Sequence, residues 1–146
     1  MRMQIHATCV ALGGHGVLLR GPSGAGKSDL ALRLIVGGAR LIADDRVDIA
    51  NEDGAVIARA PATLAGLMEV RGLGILRMEF DEAARVTCVI DLVAPADVKR
   101  LPEPAAADLC GVEVPLFQLD AFSAAAAAKV RLAVEVATGR IMRADE

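Results

Sequence analysis

The chain has 146 residues, a net charge of −3, 54% hydrophobic residues, three Phe and no Trp or Tyr. That length suits a single domain over 1–146 with a substantial core, and the acidic balance and scarce aromatics argue against a nucleic-acid partner. No apolar run approaches the roughly 18 residues of a membrane span and no leader pattern opens the chain, so a cytoplasmic protein without a membrane partner is the expectation.

In chain order, residues 5–12 and 16–20 read as two short strands joined by the turn Gly13-Gly14-His15-Gly16. A glycine-rich loop follows, then a helix over 27–36 with apolar residues at 30, 31, 34 and 35, stopped by Gly37-Gly38. Residues 40–43 form an apolar run that ends in Asp44-Asp45. Segments 46–50 and 55–60 flank Asn51-Glu52-Asp53-Gly54, a hairpin signal. A helical turn is expected over 62–67 after Pro61. In 68–76, Gly72 and Gly74 require an unusual backbone path. Residues 86–93 read as a buried strand. The proline-punctuated stretch 95–115 reads as a loop with one short strand near Val112. Helix is expected over 121–128, and 130–137 either continues it or forms a last strand. Cys9, Cys88 and Cys110 lack metal-ligand spacing and read as small apolar residues.

The loop is Gly21-Pro22-Ser23-Gly24-Ala25-Gly26-Lys27-Ser28, a complete G-x-x-x-x-G-K-[ST] phosphate-binding pattern between a strand and a helix. Its glycines let backbone N–H groups curl around a polyphosphate at a helix N-terminus. Lys27 would reach the outer phosphates and the Ser28 hydroxyl would hold Mg²⁺. The Asp44-Asp45 doublet closes the next strand, where a carboxylate could bind the metal through water or take a proton from an attacking hydroxyl. No guanine-reading N-K-x-D and no arginine-rich lid accompany the loop.

His6, the phosphate loop, Ala43-Asp44-Asp45 and Glu69-Val70-Arg71-Gly72-Leu73-Gly74-Ile75 stand in the order and spacing of one family. Over about residues 5–100 the chain resembles the catalytic domain of HPr kinase/phosphorylase. The resemblance implies an α/β fold: a phosphate-loop mixed β-sheet with few helices, similar to the nucleotide-binding core shared with phosphoenolpyruvate carboxykinase. It implies Mg²⁺- and ATP-dependent phosphorylation of a serine on an HPr-like phosphocarrier of the phosphotransferase system, and a homo-oligomer, hexameric in the family.

Carried onto this sequence, the resemblance makes Lys27 and Ser28 the phosphate and Mg²⁺ ligands and Glu69 a second acidic metal contact beside Asp44. Asp45 becomes the favoured proton acceptor, with Asp44 its competitor. His6 matches the active-site histidine, Arg71 lies within the signature, and Arg100 matches an arginine after the next strand. Two departures stand out. The pattern begins almost at Met1, where family members carry a further domain. Residues 124–129 also lack the family's proline, glycine and arginine loop tied to phosphorolysis, so kinase activity is expected and phosphorylase activity is left open. A small-molecule phosphate-loop kinase and a non-catalytic nucleotide-sensing regulator are the alternatives.

Overall fold

A computed structural model describes residues 1–144. Strands β1 (Arg2–Leu12) and β2 (His15–Arg20) meet at Gly13-Gly14, whose φ values of 56° and 85° match the left-handed pair of a two-residue hairpin turn. Beyond the phosphate loop, helix α1 (Lys27–Val36) buries Leu30, Ala31 and Leu34 along one stripe. It stops where Gly37 and Gly38 donate back to Arg33 and Ile35 carbonyls. Strand β3 (Arg40–Ala43) leads through Asp44-Asp45 into β4 (Arg46–Glu52). A second left-handed pair, Asp53-Gly54, turns β4 into β5 (Ala55–Arg59). Strands β6 (Leu67–Val70) and β7 (Gly74–Arg77) form a separate hairpin, with Gly72 and Gly74 at φ 92° and 105°. The rest comprises β8 (Ala84–Leu92), β9 (Ala105–Leu109), β10 (Val112–Leu119) and helix α2 (Ala126–Ala137).

The long strands share their edges between partners. One edge of β1 pairs with β4 over residues 2–6 and with β3 over 9–11, while its other edge pairs with β2. The ladders β2–β1–β4–β5–β8 then return to β2, closing a circuit. Within it, β2 and β8 run parallel, as do β8 and β10. Alternating side chains therefore feed two cores. One gathers Cys9, Leu18, Val47, Ile49 and Val89. The other packs Val10, Leu19, Leu41 and Ile90 beneath Leu30 and Leu34 of α1 and Val130 and Val134 of α2. All three cysteines are buried and free.

The mixed sheet with few helices agrees with the sequence reading, but three segments differ from it. The first strand begins at Arg2, because residues 2–6 pair with β4. The stretch 95–115 holds a second strand, β9, antiparallel to β10 with Ala105 opposite Leu116. Pro115 is accommodated in β10 because pairing to β8 begins only at Leu116. Residues 121–125 form a turn, and helix runs unbroken from Ala126 to Ala137. Ala126, Val130, Ala133 and Val134 bury along one face at i, i+4, i+7 and i+8, which a strand could not achieve.

Candidate active site

The site forms where three elements meet. Because β3 and β4 both pair with β1, the Asp44-Asp45 connection lies beside residues 6–8 of that strand. Asp45 is the apex of a tight turn in which Arg46 N–H donates to the Asp44 carbonyl at 2.8 Å. Its φ of 70° is uncommon for a residue with a Cβ, and such strain gathers at functional positions. The turn sends the two carboxylates to different surroundings. Asp44 is 7% exposed, whereas the Asp45 side chain is 64% exposed.

Asp44 joins the strand to the phosphate loop. Its Oδ1 accepts from Ser28 Oγ at 2.7 Å and from Thr8 Oγ1 at 3.0 Å. Asp45 Oδ1 accepts from His6 Nε2 at 2.9 Å. His6 and Thr8 are two apart on β1 and so lie on one face, which explains why one strand serves both aspartates. Thr8 joins this candidate cluster through its bond to Asp44, and the sequence reading missed it. Its spacing from His6 was the available signal, but only the β1–β4 register makes that spacing meaningful.

The loop itself is preorganised. Ala25 N–H donates to the Pro22 carbonyl at 3.0 Å. Lys27 is 7% exposed, and its Nζ donates to the carbonyls of Gly21 (2.6 Å) and Pro22 (3.1 Å). An ammonium has three donors, so one stays available to a phosphate oxygen. The N-cap of α1 is Gly26 at φ 94°, with no side chain capping the first turn. Gly24, at φ 85°, faces open space. Backbone N–H groups at an uncapped helix start, with no Cβ in the way, suit a polyphosphate. The oxygen set of Ser28 and Asp44 suits Mg²⁺, which takes one or two carboxylates alongside substrate phosphates. Among the described residues, no three His, Cys, Asp or Glu side chains converge into a metal-holding group.

The other expected residues lie apart from this cluster's bonds. Glu69 is exposed on β6 opposite Ile75, and Arg71 is exposed in the β6–β7 turn. Arg100 is exposed in the segment before β9. None of these three side chains bonds to a described residue. Burial, not a neighbouring cation, dominates the thiols: desolvation raises Cys9 and Cys88 to about 12, which leaves them neutral and inert.

The family model for the HPr Serine kinase C-terminal domain matches residues 1–143. An HPr kinase/phosphorylase from Lactobacillus acidophilus is 40% identical over 126 residues, covering 78% of this chain and 39% of the relative. One from Clostridium beijerinckii is 49% identical over 73 residues, or 50% of this chain and 24% of the relative. The chain thus spans well under half the length of these curated relatives. The solved structure of the Hpr(Ser) kinase/phosphatase from Coxiella burnetii superposes with a TM-score of 0.84 over 94% of this chain and 97% of that one. At 24% identity this establishes a shared fold.

Proposed function

Since the chain belongs to the HPr serine kinase C-terminal domain family, we propose that it is the catalytic part of a cytoplasmic ATP- and Mg²⁺-dependent protein serine kinase. Its acceptor is an HPr-like phosphocarrier of the phosphotransferase system, and it works as a homo-oligomer, with a hexamer as the expected state. One contact carries the reading: the hydrogen bond from Ser28 to Asp44, which sets the phosphate loop beside the aspartate doublet.

The two aspartates divide the work. Asp44, buried and already accepting two hydroxyl protons at one oxygen, is suited to hold the metal with Ser28. Mg²⁺, when bound, supplies charge neutralisation on the phosphate oxygens. Asp45, open to solvent and steadied by His6, is suited to accept the proton of an incoming serine hydroxyl as the new P–O bond forms. Lys27 and the loop amides stabilise negative charge on the transferring group, which is where most of the rate gain in such a site arises. The family resemblance alone assigns Glu69 to a second metal contact and counts Arg71 and Arg100 among the catalytic residues. Phosphorolysis would use Asp45 in reverse, as proton donor.

The test mixes purified protein, Mg²⁺-ATP and an HPr-like protein and reads the acceptor by intact mass. The expected result is a gain of one phosphoryl group, stable to acid as a phosphoserine is. Asp45→Asn is expected to abolish transfer while ATP still binds. No mass gain with wild-type protein, or undiminished transfer by Asp45→Asn, overturns the proposal. Repeating the assay with phosphorylated acceptor and inorganic phosphate reads the reverse reaction.

A further inference from the structure

Strands β2, β8 and β10 run parallel, so their carboxyl ends share one rim of the sheet. The phosphate loop leaves β2 there, and residues 120–125 leave β10 there. This second loop is firmly held. Arg33 of α1 donates to the carbonyls of Ala121 and Ser123. Phe122 N–H donates to Asp120 Oδ1 at 3.0 Å, Ala125 N–H donates to Ser123 Oγ at 3.2 Å, and Ala121 is fully buried.

Within this fixed loop Phe122 is 67% exposed. Of the three Phe in the chain, Phe117 is half-buried and Phe80, 37% exposed, lies against Gly66. The Phe122 ring edge meets the phosphate loop itself: a Cβ on Gly26 would stand 3.1 Å from Cζ and 3.2 Å from Cε1. Exposing a large apolar ring forgoes the stabilisation of burying it, and here the ring is presented rigidly rather than on a mobile tip. A nucleoside attached to a triphosphate cradled by Lys27 and Ser28 needs a surface beside the loop, and next to Gly26 the exposed surface is the Phe122 ring.

We propose that Phe122 is the platform on which the base of the bound nucleotide stacks, making residues 120–125 the nucleoside wall of the site. The assignment rests on the phosphate-loop reading given above. Stacking on a phenyl ring supplies affinity without reading the base's hydrogen-bonding edge, so it takes nucleotides as a class without distinguishing one base from another.

The test measures binding of Mg²⁺-ATP and of Mg²⁺-tripolyphosphate, which has the phosphates but no base. Phe122→Ala and Phe122→Leu, the latter keeping apolar bulk against Gly26, are both expected to weaken ATP about tenfold and to leave tripolyphosphate unchanged. Phe122→Trp would introduce the sole tryptophan of the chain, whose fluorescence should respond to ATP and not to tripolyphosphate. Unchanged ATP affinity in both truncations, or parallel losses for the two ligands, overturns the platform while leaving the phosphate loop intact. A wild-type protein that binds neither ligand overturns the underlying reading and the platform with it.

Discussion

Replacing Gly26 by Ala tests whether the phosphate loop and the turn after β10 are packed as one unit. Two costs combine at this position. At φ 94° a residue with a Cβ is strained by about 1–2 kcal/mol. The new Cβ would also stand 2.8 Å from the Cβ of buried Ala121, which has no flexible end to yield, besides pressing on the Phe122 ring. Overpacking of this kind costs about 1–3 kcal/mol, so the total is roughly 2–5 kcal/mol. For a chain of this size, that lowers Tm by roughly 5–15 °C. Gly24→Ala is the matched control. Gly24 has a similar φ of 85°, yet nothing lies within 4 Å of its Cβ position, leaving the backbone strain alone. Urea or thermal denaturation of both variants should rank Gly26→Ala well below Gly24→Ala. Equal stability would mean that residues 121–122 are not seated on the loop, and the packing argument would fail.

Two further outcomes follow from the buried groups. Thr8→Val removes the hydroxyl that donates to Asp44 while preserving shape. Calorimetry should show a loss of about 1–2 kcal/mol, and an unchanged Tm would mean the Thr8–Asp44 bond contributes nothing. Cys88 is raised from 9.0 to about 12 by burial, so the unfolded thiol ionises first. Its contribution is complete below pH 9 and lost as pH rises towards 12, at up to about 1.4 kcal/mol per pH unit. Cys88→Ala should flatten the alkaline slope of stability by that amount, and an identical slope would show the thiol is not desolvated.

Local signals made much of the fold readable. The glycine pairs at 13–14 and the Asp53-Gly54 turn specify hairpins through their own backbone preferences, and the phosphate loop needs no distant residue to be recognised. Strand β9 escaped because Ala105-Ala106-Ala107 carries no strand propensity; its pairing to β10 defines it. The valines of 130–137 obscured α2, whose helical face becomes evident only against the second core. The same division holds at the site. Lys27, Ser28 and Asp44 were legible because motif and strand end lie close in sequence. Thr8 and Phe122 were not, since each acquires its place from chain 36 or more residues away.

The β2–β8 ladder has a kinetic consequence. It unites residues such as Arg20 and Asp91, 71 positions apart, and no hairpin can zip it up locally. During synthesis, the outer edge of β2 therefore waits without its mate until β8 has emerged. Folding should be correspondingly slow, and that unsatisfied border is where nascent chains would adhere to one another.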